Sequence, residues 1–318
     1  MGGDLAPTEP VHGALEAAAR GVEVVLVGDR AVLEPMLEAA GVTIELVHAP
    51  QVITMAENPG KALREKRDSS IAVSARLVAE GKVAGMVSAG STGAVMAAAV
   101  LEIGRLPGID RPAIAAVFPV GVKGKVLLDV GANPECKPEH LLQFAVMGHA
   151  LAQARLGIDQ PRVGLLSIGE EPGKGRALER AAHDLLGWGP FDFIGNVEGR
   201  DLASEAADVI VTDGFTGNVL LKASETFASW LISEVGGTLT ALVAEDPTLG
   251  DRLLPEFRNL KRRMNPELVG GASLLGVKGV VTIAHGSASR LAIASALEMT
   301  SREADHDLVS KIQAGLRK

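Results

Sequence analysis

The chain has 318 residues, nearly half of them hydrophobic, with a formal net charge of −8, one cysteine and no tyrosine. That length allows one large or two modest domains with a substantial core. The acidic balance argues against a general nucleic-acid binder, the lone Cys136 rules out an intramolecular disulfide and fits a reducing cytoplasm, and no uninterrupted apolar run approaches a membrane span.

In chain order, "VEVVLVGDR" (22–30) reads as a strand ending in Gly-Asp ahead of the helical pattern "AVLEPMLEAAG". The basic stretch "GKALREKRDSS" (60–70) follows, with Asp68-Ser69-Ser70 placed to start a helix. "VAGMVSAGSTGAVMAAAVLEIG" (83–104) is a strand, a Gly-Ser-Thr-Gly turn and a helix. The pattern returns at 125–154, 161–186, 191–202, 208–225 and 279–299. Short apolar strands alternating with longer helices predict an α/β fold, three layers around a mostly parallel sheet buried on both faces. In such sheets ligands bind at the carboxyl ends of the strands. The glycine turns are therefore expected to converge on one edge, with helix-terminal amides directed at an anion.

One segment breaks the alternation. From 224 to 271 two helical stretches follow without a strand, predicting a protruding hairpin inserted in a single domain that spans 1–318. The first carries Trp230 and Leu231; the second interleaves Arg252, Arg258, Lys261, Arg262 and Arg263 with its apolar residues. A dimer-packing arm and a docking surface for an acidic partner or anionic lipid both fit it.

Several turns carry candidate chemistry. Lys174, in "SIGEEPGKGRAL", sits in a glycine-bracketed loop after a strand, as an exposed loop lysine or as a point cation for a phosphate or oxyanion. Glu170 and Glu171 beside it are surface charge or orient it. Asn218, in "DGFTGN", is a cap or a neutral donor to a carbonyl gaining charge, and Asp213 caps or fixes a neighbouring donor. His285, in "IAHGSAS", is a general base, a phosphate ligand or a structural histidine. Cys136 lies near a helix start, which favours a thiolate, yet as a nucleophile it would also need a base. The histidines form no metal-binding spacing, and Asp129 with Asp213 gives no positive sign of a metal. Rossmann, nucleophile-elbow and Walker fingerprints are missing.

Taken together and in order, "MGGDLAP", "VSAGSTGA", "LLDVGANPECKPEHLLQFAVMG", "PRVGLLSIGEEPGKG", "FIGNVEGRDL", "DVIVTDGFTGNVLLK" and "HGSASR" closely resemble the phosphate acyltransferases of bacterial phospholipid synthesis, the PlsX family. The resemblance implies a fold like that of isocitrate and isopropylmalate dehydrogenases, a homodimer, and transfer of a fatty acyl group from acyl carrier protein to inorganic phosphate. It implies catalytic roles for Lys174, which holds phosphate and offsets charge, and for Asn218, which stabilises the oxyanion. Substrate binding falls to Ser91, Thr92, Asn133, Asn196, Asp213, Thr216, His285 and Ser287. No cofactor, metal or nucleic acid is implied. The basic cluster from Arg252 to Arg263 is expected to meet the acidic carrier, and the protein is expected in the cytoplasm with peripheral contact at the inner face of the membrane. The alternatives are a phosphate acetyltransferase-like enzyme using acyl-coenzyme A, a decarboxylating dehydrogenase of the same fold, and a non-enzymatic carrier-binding protein. The chain departs from the family at three points. Its members have a short strand ahead of "MGGD", so the sheet is expected to lack a strand or the start to lie upstream. Ser91 stands where asparagine is commoner, and Ala288 where a second serine is frequent.

Overall fold

Alternating side chains decide how the central strands pack. In the computed structural model, which describes residues 1–121 and 123–317, β5 (Lys125–Leu128) directs Val126 and Leu128 to one apolar layer and Leu127 to the other. In β8 (Val209–Val211), Ile210 opposes Val209 and Val211 in the same way. This period of two, buried on both sides, is that of a strand sandwiched between helices. Each fully buried Leu or Ile contributes about 1.5–3 kcal/mol.

Eight strands form the main sheet in the order β3-β10-β9-β4-β5-β8-β6-β7. They are β3 (Gly85–Ser88), β10 (Val280–Ile283), β9 (Ala272–Leu275), β4 (Ala113–Phe118), β5, β8, β6 (Arg162–Leu166) and β7 (Asp192–Val197). One face carries α3 (Pro59–Glu65), α4 (Ser70–Ala79) and α5 (Thr92–Ala98). The other carries α6 (Pro138–Leu156), α7 (Ala177–Leu186), α10 (Arg290–Asp305) and α11 (Leu308–Gly315). The three-layer α/β architecture is the expected one.

The middle of the sheet differs from the sequence reading. β4 and β9, which the alternation does not reveal, pair antiparallel with each other and with β5 and β10 respectively. The pair β3–β10 is parallel, as is the run β5–β8–β6–β7, but the two runs point in opposite directions. A second sheet holds only β1 (Val25–Gly28) and β2 (Glu45–His48), parallel, beside α1 (Thr8–Ala19) and α2 (Arg30–Ala40). No strand joins it to β3 among the described residues.

The segment after β8 is one long helix, α8 (Gly214–Glu245), followed by α9 (Gly250–Arg263). The sequence reading starts the hairpin's first arm at 224, whereas α8 is unbroken from the β8 exit. By length and composition α8 is long and apolar enough to cross a membrane, contrary to the expectation from runs alone. Its first turn is nonetheless fixed in the domain, where Gly214 and Gly217 are buried.

Candidate active site

Because the two parallel runs oppose each other, the strand exits fall into two groups rather than along one edge. The exits of β5, β6, β7 and β8 carry Asn133, Lys174, Asn196, Asp213, Thr216 and Asn218. Those of β3 and β10 carry Ser91, Thr92, His285 and Ser287. Both groups border one apolar layer: Ala94 and Leu63 pack in the same cluster as Val130, Leu166 and Val197, with Leu220 of α8 against it. Sheet twist of about 20–25° per strand also keeps the opposed exits from being diametrically opposite. No hydrogen bond or ion pair joins the groups among the described residues.

In the first group a buried carboxylate shapes the loop after β5. Asp129 accepts from the amides of Ile114 (3.1 Å), Gly131 (3.2 Å), Ala132 (3.0 Å) and Asn133 (2.7 Å) and from Asn133 Nδ2 (2.9 Å). Burial raises its pKa, while the amide of Ala132 and the side chain of Asn133 work against that rise. The second Asn133 amide hydrogen goes to the Pro112 carbonyl at 2.8 Å. Asn133 is therefore a brace of this loop, with both donors engaged before any substrate arrives.

The start of α8 lies directly on that loop. A Cβ at Gly214 would stand 2.7 Å from the Asn133 carbonyl oxygen, and one at Gly217 would overlap the Asp129 carbonyl. Only glycine permits this approach. Gly217→Ala is expected to cost about 1–3 kcal/mol in urea unfolding, as overpacking against a backbone atom that cannot yield, and to lower activity by displacing the helix. Unchanged stability would mean that α8 is free to shift. Asn218, one residue on, is exposed, and its Oδ1 lies 3.7 Å from where a Cβ of Gly131 would sit.

The helix cap is Asp213, not Asn218. It accepts from the Thr216 amide and hydroxyl, each at 2.9 Å, so the hydroxyl hydrogen of Thr216 points inward. The amides of Gly214 and Gly217 bond the carbonyls of Asn133 and Asp213. The expected open ring of helix amides is thus largely closed at this turn, because two aspartates and the loop carbonyls have taken its donors. At α5 the outcome differs: Ser91 makes no side-chain cap bond, although it is buried, and Thr92 is exposed at the first turn.

Arg176 links the lysine loop to this helix, and the sequence reading missed it. Its guanidinium pairs with Glu179 and with Asp213, and its amide donates to Glu179 at 2.7 Å. The signal was present as "RALE", an arginine three residues before a glutamate at a helix start. Burial alone would raise the Asp213 pKa, but the Thr216 amide, Arg176 and the Thr216 hydroxyl bring it below the usual carboxylate value. A depressed carboxylate stabilises the fold above its unfolded pKa, and that contribution is lost as pH falls through the folded value. In Arg176→Met the Asp213 pKa moves up, so the acid-unfolding midpoint followed by circular dichroism is expected at higher pH than in the parent. An unmoved midpoint would show that Arg176 does not hold Asp213.

Lys174 itself is exposed, and among the described residues no ion pair engages its ammonium. Its backbone amide bonds the Glu171 carbonyl at 3.0 Å, which also accepts from Asn196 Nδ2 at 2.8 Å. Glu170 pairs with Arg200 at 2.8 Å instead of orienting the lysine. Two buried polar atoms near this loop, Ser167 Oγ and Asn196 Oδ1, have no hydrogen-bond partner among the described residues.

In the second group His285 is exposed, with Nδ1 2.7 Å from Ser287 Oγ and 3.3 Å from the Ser287 amide. The Gly2–Asp4 turn closes on it: the Asp4 amide donates to the Gly286 carbonyl at 2.8 Å. Cys136 is half-buried, and burial with the nearby Asp129 charge pushes its thiol up to about 12. That overturns the expectation of a favoured thiolate. Away from both groups, Trp230 and Leu231 are exposed on α8, and Arg252, Arg258, Lys261, Arg262 and Arg263 are exposed on α9.

The model of a family described as fatty acid synthesis protein matches residues 1–311. The chain is 48% identical over 320 residues to a phosphate acyltransferase of Heliobacterium modesticaldum, covering 98% of this chain and 95% of that protein. To the phosphate acyltransferase of Moorella thermoacetica it is 46% identical over 320 residues, covering 98% and 93%. Among solved structures, the EutD phosphotransacetylase from Staphylococcus aureus superposes with a TM-score of 0.63 at 18% identity, covering 94% of this chain and 91% of that one. A phosphotransacetylase from Streptococcus pyogenes gives 0.62 at 19% identity, covering 92% and 91%. At such identity these two show a shared fold.

Proposed function

The chain belongs to the fatty acid synthesis protein family, as a phosphate acyltransferase, and from that premise we propose that it transfers a long fatty acyl group from acyl carrier protein to inorganic phosphate. The observation that carries this reading is the first exit group: an exposed lysine without an ion-pair partner among the described residues and an exposed asparagine, on segments tied together by Arg176 and Asp213, beside an apolar helix face.

In this mechanism a phosphate oxygen attacks the thioester carbonyl carbon. The carbonyl electrons move onto oxygen, return as the C–S bond breaks, and leave an acyl phosphate and the carrier thiolate, which takes up a proton. Lys174 holds the phosphate and offsets the charge that builds up on the carbonyl oxygen. Asn218 donates its amide N–H to that oxygen. Asp129, Asn133, Asp213 and Thr216 keep the loop and helix in place, and Asn196 supports the lysine loop. Ser91 and Thr92 at the uncapped start of α5, with His285 and Ser287, bind the substrate's remaining polar groups.

The acyl chain lies on α8. Phe215, Val219 and Trp230 are exposed and fall within about 60° of one another around the helix axis, over about 22 Å of its length. The basic cluster of α9 receives the acidic carrier, whose encounter would weaken as salt is added. The remaining exposed apolar residues, among them Phe227 and Leu242, contact a second copy of the chain or a membrane surface on the cytoplasmic side.

The test is release of free carrier thiol from palmitoyl-loaded acyl carrier protein, with and without phosphate. Phosphate-dependent release is expected, and its absence rejects the reading. Faster turnover of a short acyl-coenzyme A than of the loaded carrier would replace the donor proposed here by the coenzyme. For the membrane contact, co-sedimentation with anionic vesicles at low salt is expected, and a protein left in the supernatant would remove that part.

A further inference from the structure

The turn after β10 fixes which nitrogen of His285 carries a proton. It runs from His285 to Ala288, whose amide donates to the His285 carbonyl at 2.9 Å. Inside it the Ser287 amide donates to His285 Nδ1 at 3.3 Å, and Ser287 Oγ lies 2.7 Å from the same nitrogen. A backbone N–H only donates, so Nδ1 is an acceptor and the ring proton stands on Nε2. The Ser287 hydroxyl hydrogen turns to Nδ1 as well, which leaves the lone pairs of its oxygen available. Both side chains are exposed, so the turn offers an N–H donor and, beside it, an oxygen acceptor. With its proton already in place, Nε2 donates and does not act as a general base.

The surroundings select what such a pair takes. Asp4 Oδ2 comes within 2.9 Å of the place a Cβ on Gly286 would occupy, so a carboxylate stands beside the turn. Residues 284–289 contain no lysine or arginine, and the next residue, Arg290, is paired with Glu9 at 2.9 Å. A phosphate dianion here would meet the charge of Asp4 with little to offset it, whereas a neutral ligand would not. Met55 Cε reaches to 2.6 Å from the same Gly286 position, and Met55 is 42% exposed, which adds an apolar surface. Secondary amides joined by short apolar linkers match all of this. A trans amide points its C=O and N–H to opposite sides, so the turn takes the carbonyl of one amide and the N–H of the next, as a strand edge does.

We propose that the β10 exit is an amide-binding site for the pantetheine arm of the thioester donor, which carries two secondary amides in succession. His285 Nε2–H donates to the carbonyl of one amide, the N–H of the other donates to Ser287 Oγ, and Met55 covers the adjoining methylenes. This rests on the acyl transfer proposed above and gives the two exit groups separate duties: phosphate at Lys174, donor arm at His285. The amides of the arm stand several bonds from its sulfur, so their site belongs away from the reacting carbonyl, on the same apolar layer that both groups border.

The experiment measures KM for loaded acyl carrier protein and KM for phosphate separately, in the parent, Ser287→Ala, His285→Ala and His285→Gln. Either alanine variant is expected to raise the carrier KM about three- to tenfold and to leave the phosphate KM unchanged. His285→Gln, which keeps an N–H donor, regains part of that loss. A carrier whose arm has both amides replaced by esters keeps the carbonyls and lacks the N–H. It is expected to lose a similar factor with the parent and nothing further with Ser287→Ala. A rise in the phosphate KM alone, unchanged constants, or an ester arm used as well as the amide arm overturns the proposal. Phosphate-dependent release by the parent tests the reaction itself, so a failed reaction and a failed site are told apart. Independently of turnover, nitrogen NMR of the histidine-labelled parent is expected to place the His285 proton on Nε2 and to show a shift there with pantetheine but not with inorganic phosphate. A proton on Nδ1, or no shift with pantetheine, rejects the site.

Discussion

Lys174→Ala is expected to lower phosphate-dependent thioester cleavage by at least about 10²-fold, the loss that follows removal of one donor to a developing oxyanion. The substitution leaves the loop's own supports in place. The loop is held by the bond from Asn196 to the Glu171 carbonyl, by Gly175 at a φ of +97°, and by Arg176 on Glu179 and Asp213. None of these uses the lysine side chain, so the deficit reports the ammonium and not a collapsed loop. Circular dichroism and urea unfolding of the variant are expected to match the parent. Lys174→Arg restores part of the rate, since it keeps the charge but spreads it over a planar fork. A Lys174→Ala enzyme within a few-fold of the parent would move the positive charge of the reaction to another residue.

Arg155→Ala is expected to cost about 3–5 kcal/mol of unfolding free energy, the largest stability effect anticipated in this chain. Arg155 is 2% exposed, and its partner Glu303 is fully buried. The guanidinium bonds Glu303 and Ser273, each at 3.2 Å, and also reaches the Val269 carbonyl. Ser273 donates to Glu303 at 2.8 Å, while Glu303 Oε2 has no partner among the described residues. Burial raises the Glu303 pKa and lowers that of Arg155, each held back by the opposite charge of its partner. Removing the arginine leaves a carboxyl group in the core with no opposite charge and only the Ser273 hydroxyl to support it. The double change Arg155→Met with Glu303→Leu removes both charges and is expected to stay within about 1–2 kcal/mol of the parent. Urea unfolding of the single and double variants separates the outcomes. A single variant as stable as the parent would mean that water reaches Glu303.

The pattern of residues reveals some layers of this protein and hides others. Strands β5, β6 and β8 are legible because short apolar runs end in glycine turns and lead into helices, and their burial on both faces follows from composition. The exits at Asp129, Lys174 and Asp213 are legible for the same reason. Strands β4 and β9 are hidden, since neither is followed by a helix in register with the alternation. Those two strands reverse the sheet, so one missed hairpin-like pairing was enough to divide the expected single pocket into two groups. The roles of Asn133 and Thr216 were hidden too. Their types suit ligand binding, but their hydrogens point inward to Asp129 and Asp213, which only coordinates reveal. Arg176 is legible in part: its spacing to Glu179 announces an ion pair, but nothing in that spacing points to its second partner, Asp213.

Helix α8 starts beneath the Asn133 carbonyl and continues without a break for 32 residues. At 1.5 Å per residue it is a rod about 48 Å long. With its base packed at Gly214 and Gly217, a swing of about 5° would carry its far tip about 4 Å and turn Asn218 only slightly. Whatever grips the outer end of this rod is mechanically in touch with Asn218 and the Asn133 loop at the inner end.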